Sequence, residues 1–254
     1  MIMIPKIIHF CWYGPGKYNG TIKRCIASWE EKLPDYTIKK WDETNTPFEK
    51  LPFLRLLYKQ KKWSFITDYV RLYALYKEGG VYMDTDIEIL KRFDVLHEEE
   101  AFTGFQTDMG SSPFPIAAGI IGAKKGNDFI LDCIKETEEK QRLKFNGMGG
   151  PPILTKVLLN YGLTQYKTQR IKNVLVLERK YFYPFYITEE FTNECIEEDT
   201  ICIHWWQDSW GNKQKGVKYL LDSLKRKAVK TPLLIKDSLI YLNNKEKFYH
   251  INSL

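Results

Sequence analysis

Apolar positions follow strand and helix periods from the first residues of the chain. Ile7, Ile8, Phe10, Cys11 and Trp12 form a short β-rich run closed by Tyr13, Gly14, Pro15 and Gly16, which predicts a buried strand over residues 6–12 and then a loop. Ile22, Ile26, Trp29 and Leu33 return at helical spacing, with Thr21 as the expected cap and Pro34 as the stop. Residues 36–41 read as a second strand. Strand, helix, strand in that order argues for an α/β domain.

The densest pattern lies between Trp63 and Leu90. Ser64 can cap a helix through Ile66, Tyr69, Val70, Tyr73 and Tyr76, which Gly79 and Gly80 end. A strand over residues 81–83 follows at once and delivers Asp84, Thr85 and Asp86. Asp68 and Arg71 stand three apart on the helix and so share a face. Further on, residues 117–123 predict a strand with glycines, 127–140 a helix, and 147–152 a loop opening another helix. Residues 174–177 and 200–206 predict two more strands. Beyond them Val217, Leu220, Leu221, Leu224 and Ala228 occupy one helical face, with Lys218, Lys225, Arg226 and Lys227 mostly off it.

Composition narrows the class. With 254 residues, 44% hydrophobic and 28% charged, the chain is globular rather than disordered or coiled-coil, and no apolar run is long enough to span a bilayer. The first residues lack the basic and long apolar stretches of a secretory signal, and the five scattered cysteines form no C-x-x-C pair, so reduced thiols and a cytoplasmic location are expected. Charge changes the picture more. The net +6 separates into a tail, residues 211–254, with ten basic and three acidic residues, and a nearly neutral body, residues 1–210. The expected organisation is a catalytic domain over 1–210 and a basic helical extension over 211–254. That extension either packs on the body or lies on an anionic membrane, which would place the protein peripherally on the inner face. A neutral body without a recognition motif argues against nucleic acid as a partner.

Two carboxylates at i and i+2 just past a buried strand can converge on one cation. Oxygen ligands with open positions suit Mn²⁺ or Mg²⁺, which bind substrate phosphates. Departure of a nucleoside diphosphate is the chemistry that needs such an ion. A bare D-x-D is often only a solvated turn, but here it follows Gly-Gly and a helix bearing Asp68 and Arg71. An Arg there can neutralise a diphosphate, and an Asp can accept from sugar hydroxyls. As a plain intrahelical pair the two would contribute only tenths of a kcal/mol, ~0.2–0.5. Trp12 ends the first strand, at the sheet edge where α/β ligands gather, and its indole can stack on a base. His204, Trp205, Trp206, Gln207, Asp208, Ser209 and Trp210 pack three Trp with a His, which points to an exposed site with His204 as a third metal ligand. His9, His97 and His250 read as structural or surface residues.

Taken together, residues 4–12, 64–71, 79–86 and 204–210 resemble, in order, the DxD-containing sugar transferases of glycosyltransferase family 32, and more distantly the catalytic domains of the large glucosylating toxins. The resemblance implies a GT-A-type nucleotide-sugar-binding domain with a mixed central sheet flanked by helices. It also implies metal-dependent, retaining transfer of a sugar from a nucleotide sugar to a glycan or lipid-linked acceptor, as in capsular or surface polysaccharide synthesis. On this resemblance Trp12 stacks on the base, with UDP favoured over GDP. Asp68 and Arg71 hold the donor sugar, and Tyr82 lines the nucleotide pocket. Asp84 contacts ribose and metal, Asp86 is the principal metal ligand, and His204 is a metal or phosphate contact. Ser209 and Trp210 touch the β-phosphate, and Asp86, Arg71 and Trp210 form the catalytic set. Many relatives carry Asn where this chain has Ala118, which leaves the donor sugar open. Front-face attack is preferred to double displacement, with Glu88 and Asp108 as the carboxylates to check as nucleophiles.

Two other readings compete. An aspartyl-phosphate phosphatase wants its motif near the N-terminus and a Thr two residues past the second Asp, where this chain has Glu88. A non-catalytic carbohydrate- or anionic-lipid-binding module explains the tryptophans and the tail. It gives no reason for Asp84 and Asp86 beside Asp68 and Arg71.

Overall fold

A computed structural model describes residues 3–142 and 149–207. The expectations for Gly147, Met148, Asp208, Ser209, Trp210, the 211–254 extension and His250 lie outside the described residues. The elements run β1 (Ile7–Cys11), α1 (Gly20–Lys32), β2 (Thr37–Trp41), α2 (Pro52–Lys59), α3 (Trp63–Glu78), β3 (Gly80–Met83) and β4 (Ile87–Ile89). They continue through β5 (Ala101–Gly104), β6 (Ile120–Ala123), α4 (Asp128–Arg142), α5 (Gly150–Tyr161), β7 (Gln169–Ile171), β8 (Val174–Leu177), α6 (Arg179–Phe182) and β9 (Cys202–His204).

Seven strands form a mixed sheet in the order β2-β1-β3-β6-β5-β8-β7. β2, β1 and β3 are parallel, β6 is antiparallel to both β3 and β5, and β8 is parallel to β5. This is the α/β mixed sheet expected of a GT-A-type domain. The near-continuous apolar runs of β1 and β3 reflect burial on both faces, as parallel strands require. Ile8, Phe10, Val81, Met83, Phe102, Ile120 and Phe182 join one core with Trp29 of α1. Phe102 lies across the β5–β6 pair from Gly122, where an added Cβ would come within 2.0 Å of the ring. The ring therefore takes the space a side chain at 122 would need.

Several boundaries differ from the sequence reading. Asn19, not Thr21, caps α1, its side chain accepting from the Ile22 N–H at 2.9 Å. α3 begins at Trp63 with Lys62 at the cap position and no side-chain cap, so Ser64 sits inside the first turn. Gly79 and Gly80 do end α3, with φ of 71° and 110°. At Gly80 a Cβ would come within 2.6 Å of the Ile7 carbonyl oxygen of the adjacent strand. The strand expected over 117–123 begins at Ile120, and the one over 200–206 is confined to Cys202–His204. β4, β5, β7 and α2 are additional elements, too short for a periodicity to stand out.

A second, two-stranded sheet also shapes the site. β4 pairs antiparallel with β9, placing Ile87 opposite His204 and Ile89 opposite Cys202. Among the described residues the other edge of β4 pairs with no strand and is held by α1 side chains instead. The Trp29 indole donates to the Ile87 carbonyl at 2.7 Å, and Ser28 Oγ accepts from the Ile89 N–H at 2.9 Å. Buried backbone groups are thereby paired without a third strand.

Candidate active site

Asp84, Thr85 and Asp86 occupy the turn where the chain leaves the large sheet at β3 and enters the small one at β4. The Ile87 N–H closes this turn on the Asp84 carbonyl at 3.0 Å, and the Asp84 N–H donates to the Gly119 carbonyl at 2.8 Å. The two carboxylates therefore converge through a turn rather than along a continuing strand. β9 then carries His204 to them from almost 120 residues away. His204 Nε2 lies 3.2 Å from Asp86 Oδ1 and 3.9 Å from Asp84 Oδ2. One ligand atom from each of Asp84, Asp86 and His204 lies within 4.8 Å of the others.

These groups are held rather than loosely gathered. Asp86 Oδ2 accepts from the Gln207 N–H at 2.7 Å, and its carbonyl accepts from the Trp205 N–H at 3.0 Å. Trp206 between them has φ of 51°, a left-handed backbone that a bulky residue adopts at a cost of about 1–3 kcal/mol. That turn in the chain brings the Gln207 N–H back onto Asp86. Burial works against a charge on both Asp86 and His204. Their mutual attraction outweighs it, raising the imidazole above its usual range and, with the Gln207 N–H, holding the Asp86 carboxyl below its own. His204 Nδ1 is buried without a hydrogen-bond partner. Two carboxylates and an imidazole are a donor set that suits Mn²⁺ or Mg²⁺.

Beside this group lies Arg71 of α3. Its guanidinium donates to Asp68 Oδ1 at 2.9 Å and to the Ala118 carbonyl, approaches Asp84 Oδ1 at 3.5 Å, and lies 4.6 Å over the Tyr82 ring. The Tyr82 hydroxyl in turn donates to Asp84 Oδ1 at 2.7 Å. Burial opposes the charge on Arg71, but Tyr82, Asp84 and Asp68 raise its pKa further above an already high value. Burial pushes the Asp68 carboxyl up in spite of Arg71 and of the Gly150 N–H directed at it. Glycines keep this space open. A Cβ at Gly150 would come 3.2 Å from Asp68 Oδ1 and 2.5 Å from Ala118 Cβ, and one at Gly119 would come 3.1 Å from Asp84 Oδ2.

Trp12 follows β1 directly, and because β1 and β3 are parallel it emerges at the same sheet edge as Asp84. Its indole donates to the Gly16 carbonyl at 2.9 Å and packs edge-on against Tyr18 at 4.7 Å. The structure therefore brings Asp68, Arg71, Tyr82, Asp84, Asp86 and His204 together, with Trp12 at the same edge. Of the other carboxylates considered, Glu88 is engaged, accepting from the Trp205 indole at 2.7 Å and pairing with Arg24 at 3.1 Å. His9 and His97 are buried structural residues, each with both ring nitrogens in hydrogen bonds. All five cysteines are free thiols.

Sequence reasoning missed Tyr183. Its ring lies 5.6 Å from His204, and its hydroxyl accepts from the Ile120 N–H at 2.9 Å. It missed Arg24 as well, whose stacking on Trp205 at 4.9 Å clasps the segment after β9 to α1. No local motif marks Tyr183 or Arg24; they meet the site only through β9 and the segment after it.

Residues 20–103 match the family model described as a glycosyltransferase sugar-binding region containing a DXD motif. Over 139 residues the chain is 31% identical to inositol phosphoceramide mannosyltransferase 3 of Schizosaccharomyces pombe, an alignment covering 52% of this chain and 36% of that protein. It is 28% identical over 130 residues to the alpha-1,4-N-acetylglucosaminyltransferase of Homo sapiens, covering 49% and 36%. The chain thus spans about a third of the length of these relatives. Among solved structures, the PaToxG glycosyltransferase superposes with a TM-score of 0.52 at 20% identity, covering 62% of this chain and 70% of that one. The fold is of the GT-A glycosyltransferase type. Asp84, Thr85 and Asp86 are the D-x-D that lies within the matched residues 20–103.

Proposed function

We propose that the protein is a metal-dependent retaining glycosyltransferase. It moves a sugar from a nucleotide sugar, with UDP favoured over GDP, to a hydroxyl of a glycan or lipid-linked acceptor. The observation that carries this reading is the convergence of Asp84, Asp86 and His204 beside the Asp68–Arg71 pair at one sheet edge. The names of the two relatives, one a mannosyltransferase for a phosphoceramide and the other an N-acetylglucosaminyltransferase, agree with it.

Asp86, Asp84 and His204 would hold Mn²⁺ or Mg²⁺, which supplies charge neutralisation for the departing diphosphate. Arg71, held charged by its acidic neighbours, faces the same diphosphate and stabilises negative charge as it develops. Asp68 accepts from donor-sugar hydroxyls, Tyr82 fixes the Asp84 carboxylate, and Trp12 stacks on the base. Ser209 and Trp210 are proposed to close over the β-phosphate. The acceptor hydroxyl attacks from the face the diphosphate leaves, which requires no covalent nucleophile and leaves Glu88 to its structural pairing. We place the enzyme in capsular or surface polysaccharide assembly, in the cytoplasm at the inner face of the membrane. Residues 1–210 would be the catalytic domain and 211–254 the basic extension. Among the described residues no helix is long and apolar enough to cross a membrane.

The test is nucleotide release from a panel of nucleotide sugars with Mn²⁺ and no acceptor. Asp86→Asn keeps the Gln207 contact but removes the charge, and is expected to lower the rate at least about 100-fold, of the order seen on removing one preorganised electrostatic group. Full activity in that variant, with the fold intact by circular dichroism, removes the site assignment. Binding of a nucleoside diphosphate without any turnover would favour the binding-module reading.

A further inference from the structure

Building on the transferase reading, we infer that the outer face of α2 docks on an anionic lipid bilayer and so presents the substrate edge of the sheet to a membrane-borne acceptor.

Residues 50–67 carry Lys50, Arg55, Lys59, Lys61 and Lys62 and no carboxylate. Among the described residues, Arg55 pairs with Glu49 at 3.1 Å while no ion pair holds the four lysines. α2 buries Leu54 and Leu57 and turns Arg55, Leu56 and Lys59 outward. Leu56 is 56% exposed. A lone exposed Leu is ordinary on a protein surface. Here it stands among uncompensated ammonium groups, the combination by which interfacial helices insert an apolar side chain while their cations meet anionic headgroups. Lys61 supplies a second observation. It ends the helix with φ of 55°, a position that favours glycine, and instead carries an exposed cation there.

The face is also rigidly tied to the site. Trp63, next after Lys62, packs on Gly14 of the loop after β1, where a Cβ would lie 3.0 Å from the indole. Tyr58 packs on Trp63 at 5.0 Å, and Phe53 packs on Tyr69, the neighbour of Asp68, at 4.8 Å. α2 is thus fixed to the loop after β1 and to the start of α3, both at the edge that carries Asp84. A bilayer under α2 would hold a lipid-linked hydroxyl at that edge.

The experiment is flotation of the full chain with vesicles of phosphatidylcholine, with and without phosphatidylglycerol. The wild type is expected to float only with the anionic vesicles. Combined Lys59→Gln, Lys61→Gln and Lys62→Gln should lower the partition about 100-fold, at about fivefold per cation. Leu56→Ser should lower it about tenfold by removing the inserted side chain. Nucleotide release without vesicles should match the wild type in all variants, since none of these residues touches Asp84, Asp86 or His204. A failure of docking is thereby separated from a failure of the transferase reading. Undiminished flotation of the variants, which would assign attachment to residues 211–254, overturns the inference, as does absence of wild-type flotation. Binding that the lysine variants lose, Leu56→Ser keeps and soluble dextran sulfate competes away would assign a polyanion site in place of a bilayer.

Discussion

Asp84 and Asp86 owe their geometry to a turn, and their chemistry to what that turn brings near. Both were legible as residues, because two carboxylates after a buried strand and a Gly-Gly stop are a local pattern. His204 was expected as their companion; that the Gln207 N–H would brace Asp86 was not legible, because that backbone group arrives from more than 100 residues away. His9 shows the reverse case. Its neighbours gave no hint of a role, and the structure gives it a purely structural one. Nδ1 accepts from the Trp41 indole at 3.1 Å, and Nε2 donates to the Gly79 carbonyl at 2.8 Å. Burial lowers its pKa, and a proton on Nδ1 would break the Trp41 bond. The unfolded chain takes up that proton near pH 6.5, whereas the folded chain does so only at lower pH. The stability contributed by neutral His9 is therefore complete above about pH 6.5 and falls as the pH drops toward the lowered folded value. Urea unfolding between pH 5 and 7 should show this, and His9→Gln should flatten the slope by at most about 1.4 kcal/mol per pH unit.

At the scale of elements, the long helices and the buried strands β1, β3 and β8 stood out because each has enough residues to show a period or an apolar run. β4 and β9 have three residues each, and what makes them strands is each other. They are also the elements that build the site. β4 depends on α1 for its free edge, so α1 supports the Asp84, Asp86 and His204 group through the Trp29 indole and Ser28. Trp29→Phe removes the donor to the buried Ile87 carbonyl and part of the core volume. It is expected to cost about 2–4 kcal/mol by chemical denaturation. An unchanged midpoint would mean that β9 alone secures β4.

Over the whole molecule, the site lies where the two sheets meet, so a cation bound there ties β3, β4 and β9 together. Mn²⁺ at about 100 times its Kd should add about 2.7 kcal/mol to the stability. The melting temperature should rise by several degrees, reversibly with chelator, and Asp86→Asn should not respond. The sequence by itself determined the α/β class, the order of the main elements, and Asp68, Arg71, Asp84 and Asp86 as candidates, since these lie within one helix-strand-turn unit and follow local rules of periodicity and capping, while Tyr82 became a candidate through the family resemblance. Only the tertiary structure decided that β9 is the strand that brings His204 to the carboxylates, that Glu88 is engaged with Trp205 and Arg24, and that Leu56, Lys59 and Lys61 lie exposed on and just past α2. The physical reason is one of range: period and cap are written in neighbouring residues, whereas a short strand and an ion site exist only once distant segments have been paired.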